Sequence, residues 1–316
     1  MSKIIEVSII CNTYNHEKYI RKTLNSFLMQ KTNFAYEVLI HDDASTDNTA
    51  SVIREYEAKY PNIIKPIYQT RNQYSLGVNI TDKYHLPRLQ GKYIAICEGD
   101  DYWTDPLKLQ KQFDTMENHS EVDICAHGAV QVRAKDSAIL GYINPSKKNV
   151  VFGIAEVIAG GGGFVATNSL FYRRELLEKK PKFRQYCPLD YSLQIHGAMR
   201  GGMMYLPDIM SAYRMMVPGS WTARVGSNKD YNFSQCKKII KMLDLVNIAT
   251  DKKYSDIIHK KQLELKFTSF EAAEMFEELR KGDLRKIYEE KPLLWKVKTY
   301  IKEYFPSAVS SYRKIK

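Results

Sequence analysis

Apolar and polar positions in the first hundred residues switch between two periods. Short, almost wholly apolar runs at Glu6 to Cys11, Tyr36 to His41, Ile64 to Tyr68 and Tyr93 to Cys97 read as buried strands. Between the first two, Tyr19, Ile20, Leu24, Phe27 and Leu28 recur at helical spacing and predict a helix over His16 to Gln30. A second helix is expected from a cap at Ser45 or Thr46 to Lys59, closed by Pro61, and a third over Thr81 to Leu89. Strands separated by such helices imply βαβ units and a mostly parallel central sheet flanked by helices, a Rossmann-like α/β architecture. Ligands of such sheets bind beyond the carboxyl ends of the strands. The polar clusters fall there: Asn12 to Asn15, Asp42 and Asp43, Arg71 and Asn72, and Glu98 to Asp101.

Beyond the fourth strand, Asp105 and Pro106 open a helix that runs to about Asn118. Residues Val122 to Tyr213 mix strand-like and helical segments, with a flexible break expected at Lys135 to Lys148 and a strand at Ala166 to Tyr172. From about Tyr231 the pattern is helical and lysine-rich, so the expected organisation is a catalytic domain over 1–230 and a helical, basic region over 231–316. The glycine run 160–163 is not a phosphate-binding P-loop, because no Gly-Lys-Ser or Gly-Lys-Thr follows it. It reads equally as an acceptor-side loop or a plain turn.

Composition changes the picture in three places. With 44% hydrophobic and 12% aromatic residues the chain is globular and not disordered. Its five cysteines are scattered and never form a CxxC pair, which implies reduced thiols in the cytoplasm and argues against zinc. No secretory signal is expected, since no basic n-region, h-region and cleavage site precede Ile4 to Cys11, and no membrane span, since the longest weakly polar stretch, Val150 to Tyr172, carries Glu156 and the glycine run 160–163. Of the net charge of +11, more than half lies in Lys281 to Lys316, where ten Lys or Arg face four Asp or Glu. No nucleic-acid reading motif accompanies that surplus, and nucleic acid is not an expected partner. Leu293 to Phe305, apolar and aromatic residues interleaved with lysines and ended by Pro306, reads as an amphipathic helix. It either packs on the catalytic domain or attaches the protein peripherally to the inner face of the membrane.

The most informative stretch is Cys97-Glu98-Gly99-Asp100-Asp101-Tyr102-Trp103-Thr104-Asp105-Pro106, a strand end that stops in paired acids. Hard divalent cations such as Mn²⁺ and Mg²⁺ take oxygen ligands and bind nucleotide phosphates through one or two carboxylates. Together with Val7 to Asn15, which ends in Tyr14-Asn15, and the turn Asp42-Asp43-Ala44-Ser45-Thr46-Asp47, this stretch resembles the signature of glycosyltransferase family 2. The resemblance covers about residues 4–225. It implies the GT-A fold with a C-terminal helical extension, a nucleotide-sugar donor, a divalent cation, Mn²⁺ or Mg²⁺, and inversion at the anomeric carbon.

Carried over by residue, the resemblance places Asn12 and Tyr14 against the donor base and has Asp43 accept the uracil imide N–H of a UDP-sugar. Asp100 falls to the ribose and Asp101 to the metal, with Glu98 where relatives often carry Asp, and Arg71 is a further candidate for the diphosphate. An inverting transfer needs a base for the acceptor hydroxyl. Asp190, in Pro188-Leu189-Asp190-Tyr191, resembles the acid of the family's later Asp-aromatic motif, and Asp208 is its rival. Many relatives carry a histidine two positions after a Tyr-Arg pair, and this chain has Met216 there, after Tyr213-Arg214. The expected activity is hexosyl or N-acetylhexosaminyl transfer from a UDP-sugar to a saccharide or lipid-linked saccharide acceptor, in cell-surface polysaccharide biosynthesis. The alternatives are a sugar-phosphate nucleotidyltransferase, which needs a Gly-rich GxGTR-like loop where this chain has Asn-Thr-Tyr-Asn, and a catalytically silent nucleotide- or glycan-binding protein.

Overall fold

The computed structural model describes residues 4–305, and its contacts divide the chain into two compact units, 1–217 and 218–316. The first unit opens with β1 (Ile5–Thr13), α1 (Ile20–Leu28), β2 (Ala35–Asp42), α2 (Thr49–Lys59), β3 (Ile64–Tyr68) and β4 (Tyr93–Ile96). It continues through β5 (Tyr102–Trp103), α3 (Lys108–Asn118), β6 (Ile124–Arg133), β7 (Ile139–Ile143), β8 (Val150–Phe152) and α4 (Ile154–Gly160). Then come β9 (Phe171–Arg173), three short helices α5 (Glu175–Glu178), α6 (Lys182–Tyr186) and α7 (Asp190–Ala198), and the long β10 (Met203–Met215). The second unit contains α8 (Trp221–Ser227), α9 (Lys229–Ala249), α10 (Ser255–Ala272), α11 (Leu284–Glu290) and α12 (Leu293–Tyr304).

One sheet carries the first unit, in the order β3-β2-β1-β4-β9-β6-β10-β5, with β7 on β6 and β8 on β10. The first four strands are all parallel, as the βαβ pattern requires. Strand order reverses between β1 and β4, which creates the crevice at their carboxyl ends. β9 then runs antiparallel to both β4 and β6 and joins the parallel half to the rest. The core beneath the crevice is apolar and fully buried: Val7 and Ile9 of β1, Val38 and Ile40 of β2, Leu24 and Phe27 of α1, and Trp103. Trp103 packs edge-on against Phe27 with ring centroids 4.9 Å apart.

Four local expectations are corrected. Thr81 to Arg88 is not an α-helix but a π-helical turn, Thr81–His85, followed by a 3-10 turn, Leu86–Arg88. Pro87 has no N–H to donate and its ring crowds the preceding turn. The helix α2 begins at Thr49 rather than at Ser45 or Thr46. Ser45 is diverted, its hydroxyl donating to Asp42 Oδ1 at 2.5 Å and accepting the Asn15 N–H at 2.9 Å, and Asp47 receives the N–H of Thr49 instead. The stretch 135–148 contains β7, paired antiparallel with β6 through Ala129 to Val132. The expected strand from Ala166 becomes a 3-10 turn, Thr167–Ser169, before β9, and that turn aims Asn168 at the acidic loop.

Candidate functional site

Each polar cluster sits where a parallel strand ends. At the end of β1, Asn12 Oδ1 meets His85 Nε2 at 2.9 Å and the Asn12 carbonyl accepts the Gly99 N–H at 2.9 Å, tying the first and fourth strand ends together. Tyr14 follows with its ring 42% exposed. Asn15 next to it adopts φ 56°, a left-handed turn that asparagine tolerates. At the end of β2, Asp43 is buried and accepts two backbone N–H bonds, from Gln73 at 2.7 Å and Tyr74 at 3.0 Å. The acid thereby anchors the loop after β3, and Arg71 lies exposed in that loop. A carboxylate carries about four acceptor sites, so Asp43 retains lone pairs beyond those two bonds.

The adjacent acids after β4 have different surroundings. Asp101 is held from both sides: Oδ1 accepts the backbone N–H of Arg214 at 2.7 Å, and Oδ2 accepts the Asn168 amide at 3.0 Å. Its backbone carbonyl receives Thr23 Oγ1 at 2.6 Å. Burial pushes its carboxyl well up, Asp100 pushes it further, and the Arg214 N–H opposes both. The Asp100 side chain meets only His16, with Nε2 3.9 Å from Oδ2, while its carbonyl accepts from the Arg214 guanidinium. That guanidinium lies between the rings of Tyr19 and Tyr102, at 4.9 and 4.5 Å.

Glu98 reaches solvent at the mouth of the crevice yet is crowded by protein on its other sides. Removal from bulk water and the charges of Asp100 and Asp190 raise it to about 8. Gly99 between these acids has no room for a side chain, since a Cβ there would stand 2.4 Å from Thr13 Oγ1 and 2.9 Å from His16 Nδ1.

Asp190 is the first residue of α7 and faces the same acids. Thr167 Oγ1 donates to its Oδ2 at 2.5 Å and the Tyr191 N–H to its Oδ1 at 2.7 Å. Burial raises its pKa and the two hydrogen bonds hold it down. Tyr213 of β10 lies among the whole set, its phenol raised first by burial and then by Asp101, Glu98, Asp190 and Asp100. The rival acid Asp208 is instead paired with Lys111 of α3 at 3.0 Å. Met216, at the position where many relatives carry a histidine, has φ 67° and points into solvent.

Sequence reading missed four contributors: His16, Thr167, Asn168 and the N–H of Arg214. Asn168 and Arg214 are 67 and 113 residues from the acid they hold, and Thr167 is 23 from its own. No spacing rule connects them. His16 lies within the expected first helix, whereas the chain makes a turn there before α1 begins at Ile20.

Among the described residues, no group of three or more His, Cys, Asp or Glu side chains is arranged to hold a metal ion by itself. A cation that arrives with nucleotide phosphates needs only one or two carboxylates. The hard oxygen donors at the end of β4, crowded enough to raise one another's pKa values, fit such an ion.

Comparison with known proteins agrees with this geometry. The family described as Glycosyl transferase family 2 matches residues 8–179. An uncharacterized protein of Mycobacterium tuberculosis is 36% identical over 249 residues, covering 76% of this chain and 69% of its own. An uncharacterized glycosyltransferase of Nostoc is 29% identical over 178 residues, 55% of this chain and 53% of that one. Among solved structures, S. aureus TarS in complex with UDP-GlcNAc superposes with a TM-score of 0.61 at 17% identity, over 84% of this chain and 73% of that one. A mannosyltransferase of Pyrobaculum calidifontis in complex with GDP-Man and Mn²⁺ gives 0.57 at 16% identity, over 98% and 84%. The fold is therefore the GT-A type, with the helices α8 to α12 following it. This chain belongs to glycosyltransferase family 2.

Proposed function

We propose that the protein is a metal-dependent, inverting glycosyltransferase that moves a hexose or N-acetylhexosamine from a UDP-sugar to a saccharide or lipid-linked saccharide acceptor. The observation that carries this reading is the turn at Thr167 and Asn168, whose adjacent side chains hold Asp190 at 2.5 Å and Asp101 at 3.0 Å and so join an acceptor-side carboxylate to the acids at the end of β4. Asn12, Tyr14 and Asp43 line the base end in this reading. Uracil presents one imide N–H, which the remaining lone pairs of Asp43 accept. Arg71 is the candidate for the diphosphate. Because Asp101 braces β10 through the Arg214 N–H and the turn before β9 through the Asn168 amide, we assign the contact with the cation to Asp100, with Asp101 behind it and Glu98 toward the ribose. His16, the imidazole nearest Asp100, takes the place left by Met216. A divalent cation, Mn²⁺ or Mg²⁺, supplies charge neutralisation for the departing diphosphate when bound.

Asp190 acts as base. It takes the proton of the acceptor hydroxyl while that oxygen forms a bond to the anomeric carbon. The bond from that carbon to the phosphate oxygen breaks on the opposite face, and UDP carries the electron pair away. Thr167 and the Tyr191 N–H orient the carboxylate for this transfer.

A role in cell-surface polysaccharide assembly is supported by the 36% identity over 114 residues with TuaG of Bacillus subtilis, for which teichuronic acid biosynthesis is proposed. Cytoplasmic work, at the inner membrane face when the acceptor is lipid-linked, agrees with five cysteines scattered along the sequence and never in a CxxC pair. The test is incubation with Mn²⁺ and a panel of nucleotide sugars, reading free nucleotide. UDP release is expected, abolished by EDTA, and Asp190→Asn is expected to cut transfer by about 10²- to 10⁴-fold. Release from GDP-sugars alone, or release indifferent to EDTA, sinks the donor and metal assignments.

A further inference from the structure

Helix α12 packs with the wrong side for an ordinary surface helix. At about 100° per residue, Trp295, Thr299 and Glu303 share one narrow face. That face points inward within the second unit. Trp295 Nε1 donates to Glu271 at 2.8 Å and its ring lies 5.8 Å from Phe267 and 5.7 Å from Tyr288. Thr299 is buried, and Glu303 accepts both Nη groups of Arg280 at 2.6 and 2.9 Å.

The opposite face is apolar and open. Tyr300, Leu293, Tyr304, Val297, Ile301 and Leu294 fall within an arc of about 120° centred opposite Thr299. Leu293 is 77% exposed, Leu294 66%, Tyr304 54% and Ile301 40%. A continuous apolar strip of this kind marks an interaction surface, unlike single exposed leucines.

Its borders decide what covers it. Lys298 lies about 40° beyond Leu294 at one edge of the arc, and Lys296 lies about 40° beyond Tyr300 at the other, with its ammonium on the Glu289 carbonyl at 2.7 Å. Glu303 is the one acid between residues 293 and 305, and it is turned inward on Arg280. The outward face therefore offers leucines, an isoleucine and tyrosines between basic rims, with no carboxylate. At about 18 Å for 12 residues the helix is too short to cross a bilayer but suits lying in its interface.

We propose that α12 is a membrane-docking helix that buries this arc in the surface of a bilayer containing anionic lipid. The apolar residues enter the acyl boundary, the tyrosines sit at headgroup level, and Lys298 meets lipid phosphates at the edge of the arc. The inference stands apart from the donor and acceptor assignment, because vesicle binding is read without turnover.

The test is flotation of the full chain with phosphatidylcholine vesicles made with and without phosphatidylglycerol. The protein is expected to float with the anionic vesicles. L294E combined with I301E is expected to lower partitioning about tenfold or more on both kinds. K298Q is expected to lower it about fivefold on anionic vesicles alone. UDP release in solution and the melting temperature stay at the parent values in both variants. Flotation that survives L294E/I301E overturns the proposal, and so does a parent chain that ignores both vesicle types. So does lipid-independent dimerisation in sedimentation velocity that the same pair abolishes, which would make the arc a self-association surface.

Discussion

Replacing Asp101 by Asn separates structural from ligand roles within the acidic turn. In the parent chain the two Asp101 oxygens face two donors, the Arg214 N–H and the Asn168 amide. Asn168 has no freedom to turn over, since its Oδ1 accepts Ser211 Oγ at 2.7 Å and its Nδ2 also donates to the Ala212 carbonyl at 3.0 Å. An asparagine at 101 has one oxygen and one NH₂ group, so in either orientation a donor faces a donor. One buried donor then goes unpaired, at a cost of about 1–3 kcal/mol, partly offset because no charge remains buried. The expected net loss is about 1.5 kcal/mol, or about 3–6 °C in the thermal transition of a unit this size.

Asp100→Asn breaks no side-chain hydrogen bond among the described residues, His16 Nε2 standing 3.9 Å from its Oδ2, and relieves repulsion with Asp101. Its transition should hold or rise slightly. The assay is calorimetry of the three proteins with and without Mn²⁺ plus UDP, where a ligand at a hundred times its Kd adds about 2.7 kcal/mol. Asp100→Asn should lose that increment, and Asp101→Asn should keep it above a lower baseline. The reasoning fails if Asp101→Asn melts with the parent and loses the increment while Asp100→Asn retains it.

Two further perturbations probe the buried groups. Thr167→Val removes a donor that favours the ionised form of Asp190, so the acid's pKa rises further. Since the base works ionised, the acid limb of kcat/KM, already displaced upward by burial, should move up by about one pH unit with the plateau nearly unchanged. A limb that does not move excludes Asp190 as the titrating base. Lys108 is wholly buried with Nζ unpaired and 4.0 Å from the Trp103 ring, and burial lowers it from its ordinary 10.5 to about 7. That corresponds to about 4–5 kcal/mol against the unfolded chain near pH 7, less about 2 kcal/mol for the cation–π contact. Lys108→Met should therefore stabilise by about 2 kcal/mol at pH 7. The sign follows from proton counts: between about pH 7 and 10.5 the unfolded lysine holds a proton that the folded one has lost. Parent stability should then rise with pH across that window, and urea titrations should show the advantage of Lys108→Met shrinking toward pH 10.

The first four strands were legible because each is a short, mostly apolar run that stops at polar residues, with β1, β2 and β4 largely buried and β3 half-buried at the sheet edge. The acids at their ends were legible for the same reason. What escaped is what depends on distant chain. Nothing in Pro145 to Arg173 announces that β9 will enter the sheet antiparallel between β4 and β6, or that the turn before it will deliver Asn168 and Thr167 to the acids. The break within Thr81 to Leu89 has a sequence cause in Pro87, which ends or kinks a helical pattern. Helix α12 shows a different limit. Its periodicity identified the apolar stripe, but periodicity does not say which side is packed, and here the buried face is built by Trp295 and the Arg280 pair instead.

Asp100 and Asp101 make the same point at the scale of one turn. As sequence they are interchangeable, two carboxylates after a strand with the same intrinsic acidity. The chain direction separates them. In the tight turn held by Glu98 and Thr23, successive side chains leave on different sides, so one carboxylate meets β10 and the other the crevice. The inward acid holds β10 to the end of β4, which keeps Tyr213 and Arg214 beside the site. Asp100 stays largely buried, its side chain 12% exposed and His16 Nε2 3.9 Å away. In the proposed site the contact with a diphosphate that leaves at each turnover falls to the acid that does not brace β10. The adjacent pair thus divides into a brace and a contact, and the acid most tightly hydrogen-bonded is the brace.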